Sequence, residues 1–182
     1  MYVNDAEDLS KFPEELKKET DRGLPLVGTV LIDEKLRDTL DAFFIGGKIN
    51  SKLLNDSNSP LGTFSSRIDI CYGLGLIDEF EYKEINYLRK IRNEFAHAKH
   101  GISFKTGKIK DLCSNLKTIT PEIEGFDIRD PKTIFIFSIT NIVLRLYYRP
   151  VLIKSQKRNS NSFGENNGTL IPHPDISNKS SI

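Results

Sequence analysis

The chain has no surplus of charge of either sign. Its 26 basic and 25 acidic residues leave a net charge of +1 over 182 residues. The molecule as a whole therefore projects no strong field toward an anionic polymer, and any nucleic-acid contact must come from a local patch and be weak or indirect. Cysteine is scarce. Cys71 and Cys113 stand alone in apolar surroundings, without the CxxC or clustered Cys/His spacing of a metal site. Both read as buried reduced thiols, and neither a metal nor a cofactor is expected. Long hydrophobic runs are missing too. The longest, Ile134 to Leu144, spans 11 residues and includes Ser138, Thr140 and Asn141, well short of the roughly 20 that cross a bilayer. Near the start, Asp5, Glu7 and Asp8 stand where a secretion signal would carry base and then an apolar core. A cytoplasmic protein with no membrane partner is expected. No internal repeat is visible, and the glycines of Tyr72-Gly73-Leu74-Gly75 follow no strand, so they read as turn residues rather than a phosphate-cradling loop.

What is present is helical patterning. Residues 5 to 22 carry a thin apolar pattern (Leu9, Phe12, Leu16), with Pro13 suited to the first turn of a short helix. From Pro25 to Phe44, Val27, Leu31, Leu36, Leu40, Phe43 and Phe44 recur at steps of one to five, and Gly46-Gly47 closes the helix. After a polar stretch, Ser59-Pro60 offers an N-cap and first-turn proline for a helix to about Leu74. Asp78 precedes Glu81 by three, a capping-box start for a helix to about Ala98 whose core stripe is Ile85, Leu88, Ile91, Phe95 and Ala98. Gly101 opens a short extended piece, Ile102 to Thr106, before a helix carrying Ile109, Leu112, Cys113 and Leu116; Pro121 to Gly125 reads as connection. Asp130-Pro131 opens a buried helix that Pro150 stops. The expected fold is all-α: a compact multi-helix bundle over residues 1–154, with a disordered polar tail at 155–182 rich in Asn, Ser, Lys, Gly and Pro.

Residues 59 to 98 carry a family resemblance. The Ser59-Pro60-Leu61-Gly62 turn, Arg67 within the next helix, the Tyr72-Gly73-Leu74-Gly75 turn, and the stretch from Glu81-Tyr82 through Leu88-Arg89-Lys90-Ile91-Arg92 together resemble the mannitol operon repressor family, with looser similarity over 25–148. The resemblance implies repression of mannitol genes by an all-helical protein without an evident DNA-reading element. The residues agree: two helices meet at Gly73-Gly75 as in a helix-turn-helix, yet the second opens Asp78-Glu79-Phe80-Glu81, and three acids at the groove-facing end would repel phosphates. Arg67, mid-helix, reads as an ion-pair partner rather than a ligand contact.

Arg92-Asn93-x-x-x-His97 also resembles the RNxxxH signature of HEPN-type helical domains. In ribonuclease members this implies His97 as general acid/base, Arg92 as phosphate stabiliser and Asn93 as orienting group, across a homodimer and without metal. At about 100° per residue Arg92 and His97 diverge by about 140° on one helix, so a second chain or a helix break near Ala98 would have to close the gap. Asn93 and His97 share a face, and Tyr82, Asn86, Arg89 and Asn93 form a polar stripe open to solvent or to a symmetry mate. The competing reading is that Arg92 and His97 cap the helix end. Lys90, Arg92, His97, Lys99, His100 and Lys105 outline an anion-binding edge. The leading expectation is a non-enzymatic transcriptional regulator, homodimeric and acting through a protein partner. The alternative is a HEPN-type endoribonuclease using Arg92, Asn93 and His97.

Overall fold

The computed structural model describes residues 6–55, 58–119 and 127–160. Among these, every regular element is helical, in the order α1 (Ala6–Lys18), α2 (Gly23–Phe43), α3 (Lys48–Leu54), α4 (Phe64–Gly73), α5 (Glu79–His97), α6 (Gly107–Cys113), α7 (Pro131–Tyr147) and α8 (Arg149–Ile153), followed by a 3-10 turn at Lys154–Gln156. The expected all-α bundle forms.

Two helix starts fall where the caps placed them. Asp78 Oδ1 accepts from Glu81 N at 2.8 Å while Glu81 Oε2 accepts from Asp78 N at 2.9 Å, satisfying two otherwise orphaned amides. Asp130 Oδ2 accepts from Thr133 N at 2.9 Å with Pro131 at the first helical position.

Other boundaries differ from the sequence reading, each for a local reason. Ser59-Pro60 does not start α4. That stretch forms a turn, in which Gly62 N donates to Ser59 O and Leu61 N donates back to Leu53 O of α3, and Thr63 caps α4 instead through Ser66 N at 3.1 Å. The polar stretch after Gly47 is helical: buried Asn50 knots α3 to the end of α2, accepting from Gly46 N at 3.1 Å and donating to Asp41 Oδ1 at 2.8 Å. Pro13 sits inside α1, where its lost amide bond is offset by the burial of Phe12 and Leu16. Within the expected extended piece, Ser103 to Thr106 forms a turn instead; Thr106 N donates to Ser103 O at 3.0 Å. α7 ends at Tyr147, as expected, but the helical path resumes at once, with Pro150 in the first turn of α8, where a missing amide costs nothing. The chain then continues through residues 155–160, expected to be tail, and Arg158 N donates to Phe43 O at 2.8 Å. Residues 161–182 and the Pro121–Gly125 connection lie outside the described residues.

The core joins α2, α5 and α7 through Leu24, Ile32, Leu36 and Leu40, through Ile85, Leu88, Ile91 and Phe95, and through Phe135, Ile136, Ile139, Ile142, Val143 and Leu146, all 1% exposed or less. At Gly28 α2 approaches α7 so closely that an added Cβ would run into Ile139. Phe104 bridges Phe95 and Phe135, with ring centroids at 5.0 and 5.4 Å. The run Pro131–Gln156 is long and apolar enough by composition to cross a membrane, more than the 11-residue run suggested, because α8 prolongs α7; half of its most apolar stretch is buried in the bundle.

Candidate functional site

α5 turns Ile85, Leu88, Ile91 and Phe95 inward, which leaves Asn86, Arg89, Arg92 and Asn93 half-buried on its flank and Lys90 and His97 exposed. The polar stripe is a chain of local bonds. Asn86 Nδ2 donates to Tyr82 O at 3.0 Å, Arg89 Nη2 to Asn86 Oδ1 at 3.3 Å, and Arg92 Nη1 to Asn93 Oδ1 at 3.0 Å. Arg89 Nε is buried without a partner. Tyr82 stacks on Tyr72 at 4.3 Å and donates to Asp69 Oδ1 at 3.1 Å; that hydrogen bond and the Asp69 charge raise its phenol above the ordinary value.

The structure thus brings Arg92 and Asn93 together and leaves His97 apart. α5 is unbroken to His97, so within one chain the arginine and histidine keep their divergence of about 140°. The helix-end role considered for Arg92 and His97 falls to Arg22, from the α1–α2 connection, whose Nη2 donates to Ala98 O at 2.8 Å and Ala96 O at 3.5 Å. A single chain therefore offers a fixed guanidinium and a separately exposed imidazole, not one convergent phosphate site. Among the described residues no cluster of His, Cys, Asp or Glu could hold a metal ion.

The start of α5 does something the sequence did not disclose. Glu81, fully buried, accepts from Arg145 Nε at 2.9 Å and Arg149 Nη2 at 2.6 Å, while Asp78 accepts from Arg145 Nη2 at 2.7 Å. Burial would lower the Arg145 guanidinium, but Glu81 and Asp78 more than offset it and hold it above its ordinary value. Two of the three acids read as phosphate-repelling are thus committed to α7 and α8, and the helix end is braced within the fold rather than offered to a groove. One turn on, buried Glu84 accepts from Ser138 Oγ at 2.8 Å, Lys117 N at 2.9 Å and Thr118 Oγ1 at 2.8 Å, tying α5 to α7 and to the segment after α6. Arg67 pairs with Asp33 at 2.7 Å and with Leu54 O at 2.9 Å, the structural role expected of it. Cys71 and Cys113 are buried free thiols, each pushed up by burial to about 12.

Sequence reasoning also missed an outward apolar stripe. Leu144, Tyr148, Val151 and Leu152 are 48%, 55%, 70% and 65% exposed, at i, i+4, i+7 and i+8 of the continuous α7–α8 path, the spacing of one helix face. The periodicity was in the sequence, but treating Pro150 as a stop cut it in half.

A family model described as mannitol repressor matches residues 41–146. The chain belongs to the mannitol repressor family. One solved structure, the X-ray structure of the MtlR-HPr complex from Escherichia coli, matches with a TM-score of 0.61 at 20% identity, covering 76% of this chain and 97% of its own; at that identity the likeness shows a shared fold. No curated protein sequence matches. The mannitol repressor match takes in α5 with Arg92, Asn93 and His97 and reaches Leu144, while Tyr148, Val151 and Leu152 lie just past it.

Proposed function

We propose that this mannitol-repressor-family protein regulates transcription in the cytoplasm by docking a protein partner on the Leu144–Leu152 face rather than by inserting a helix into DNA. The observation that carries the reading is the outward apolar stripe on α7 and α8. Four large apolar side chains on one helical face form the kind of surface that marks a protein contact, and the acidic start of α5 is tied up in ion pairs. The structural neighbour is described in complex with HPr, so HPr is the first partner to try.

The test is calorimetric titration of the full chain with HPr, repeated with a Val151→Asp/Leu152→Asp variant. Saturable 1:1 binding that the variant abolishes supports the reading. Absence of HPr binding, or binding indifferent to the variant, overturns it for this face. Self-association is the other occupant such a stripe accepts, as the homodimer expectation requires; sedimentation of both proteins without HPr separates the two.

One observation favours a second reading, the HEPN-type ribonuclease using Arg92, Asn93 and His97: His97 is exposed and makes no bond to another described residue, since Arg22 caps the helix. Metal-independent RNA cleavage lost in His97→Ala would support it. Inertness of the wild type as a confirmed dimer would leave it without support.

A further inference from the structure

The near-neutral net charge conceals a steep local asymmetry. Between residues 89 and 110 the chain carries seven lysines and arginines against one acid, Glu94. The fold gathers these cations instead of spreading them. Lys108 Nζ pairs with Glu94 at 2.8 Å, holding the start of α6 beside the last turns of α5. Arg22 reaches the end of α5 from the α1–α2 connection, and Phe104 N donates to Asp21 Oδ2 at 3.3 Å, closing the connection onto the loop between α5 and α6. The nearby acid Asp21 is also engaged by Lys132 at 3.3 Å. Lys99, Lys105 and Lys110 are exposed and form no ion pair with a described residue.

We propose that this end of the bundle, built from Arg22, Lys90, Lys99, Lys105, Lys108 and Lys110, binds the phosphate backbone of duplex DNA without reading its sequence. Composition chooses this partner over an acidic protein. No large apolar side chain between residues 89 and 110 is exposed, whereas protein interfaces are depleted in lysine and rich in aromatic and apolar anchors. A surface of lysines on separate elements with no exposed large apolar side chain in the same stretch suits counterion release from a phosphate chain, which needs charge and reach but no pocket. Such a contact would hold the regulator on duplex DNA of any sequence, while the opposite chemistry, on α7 and α8, stays free.

The test is fluorescence anisotropy of the full chain against a labelled 20-base-pair duplex of arbitrary sequence, titrated from 50 to 200 mM salt. The expected result is binding that weakens by about 250-fold over that range, with a log–log slope near −4, and that is the same for a scrambled duplex. The Lys99→Ala/Lys105→Ala/Lys110→Ala variant should bind at least tenfold more weakly at 50 mM salt, with a slope shallower by about 2.7. Replacing the same three lysines with arginine should restore binding and so exclude a folding defect. No binding at 50 mM salt overturns the proposal, as does an unchanged slope in the alanine variant. So does an equal loss in the charge-matched control Lys154→Ala/Lys157→Ala/Arg158→Ala. Competition by poly-glutamate as effective as by unlabelled duplex would also overturn it, in favour of an acidic protein.

Discussion

Between Arg89 and Lys110 the chain exposes cations and no large apolar side chain; between Leu144 and Leu152 it exposes four large apolar side chains and turns both its arginines inward onto Glu81. Both surfaces ride on helices of one core. Their difference shows how little an average says: a net charge of +1 argues against a nucleic-acid protein only if the charge is evenly spread. The two surfaces are also mechanically joined, because Glu81 on α5 holds Arg145 and Arg149 on α7 and α8, and Glu84 on α5 holds Ser138.

The most damaging way to break the comparison is to cut that joint. Glu81→Ala leaves two guanidiniums facing a buried gap and is expected to cost about 3 kcal/mol, the lower end for a broken buried pair because Arg145 keeps partial access to solvent. Urea unfolding should read this directly, and both surfaces should weaken together; a cost under about 1 kcal/mol would mean the arginines rehydrate freely. Next in size, Val151→Asp/Leu152→Asp should reduce HPr affinity by about 100-fold, as loss of central apolar anchors does, while leaving DNA anisotropy untouched. The triple lysine-to-alanine variant should do the reverse, sparing HPr titration while losing roughly tenfold in duplex binding. If either variant damages both activities, the two surfaces are one. Smallest is His97→Ala, expected to change stability by no more than about 0.5 kcal/mol because Arg22 caps the helix; a larger loss on thermal unfolding would give His97 a structural duty that its exposure argues against.

Much of this architecture was legible where a local code exists. The Asp78–Glu81 box and the Asp130-Pro131 start are statements about backbone amides a few residues away, and α5 and α7 begin accordingly. What was illegible depended on distant partners. Pro60 looks like a helix start until its neighbour Leu61 is seen bonded back to Leu53. Asn50 looks like loop until it is found knotting two helices. Glu81 and Asp78 look like a negative helix end until Arg145 and Arg149, more than 60 residues away, are seen to neutralise them. For the candidate site, the sequence named Arg92, Asn93 and His97 and predicted their divergence, since that follows from helix geometry alone. It could not show that Arg22, 76 residues before Ala98, occupies the helix end.

The two thiols can time the loosening of these surfaces. Cys71 lies on α4, which packs on α2 and α5, and Cys113 ends α6, on the cationic side. Burial raises each from 9.0 to about 12, so in the folded chain both stay protonated, whereas an unfolded chain ionises them near 9. The unfolded state therefore sheds protons first, and stability should decline as pH rises from about 9 toward 12, a trend that alkaline titration of urea midpoints can check. At neutral pH an alkylating reagent can reach either sulfur only through a transient opening of the helices around it. Mapping which cysteine is labelled first, with and without bound duplex or HPr, would report which half of the bundle breathes and which ligand quiets it.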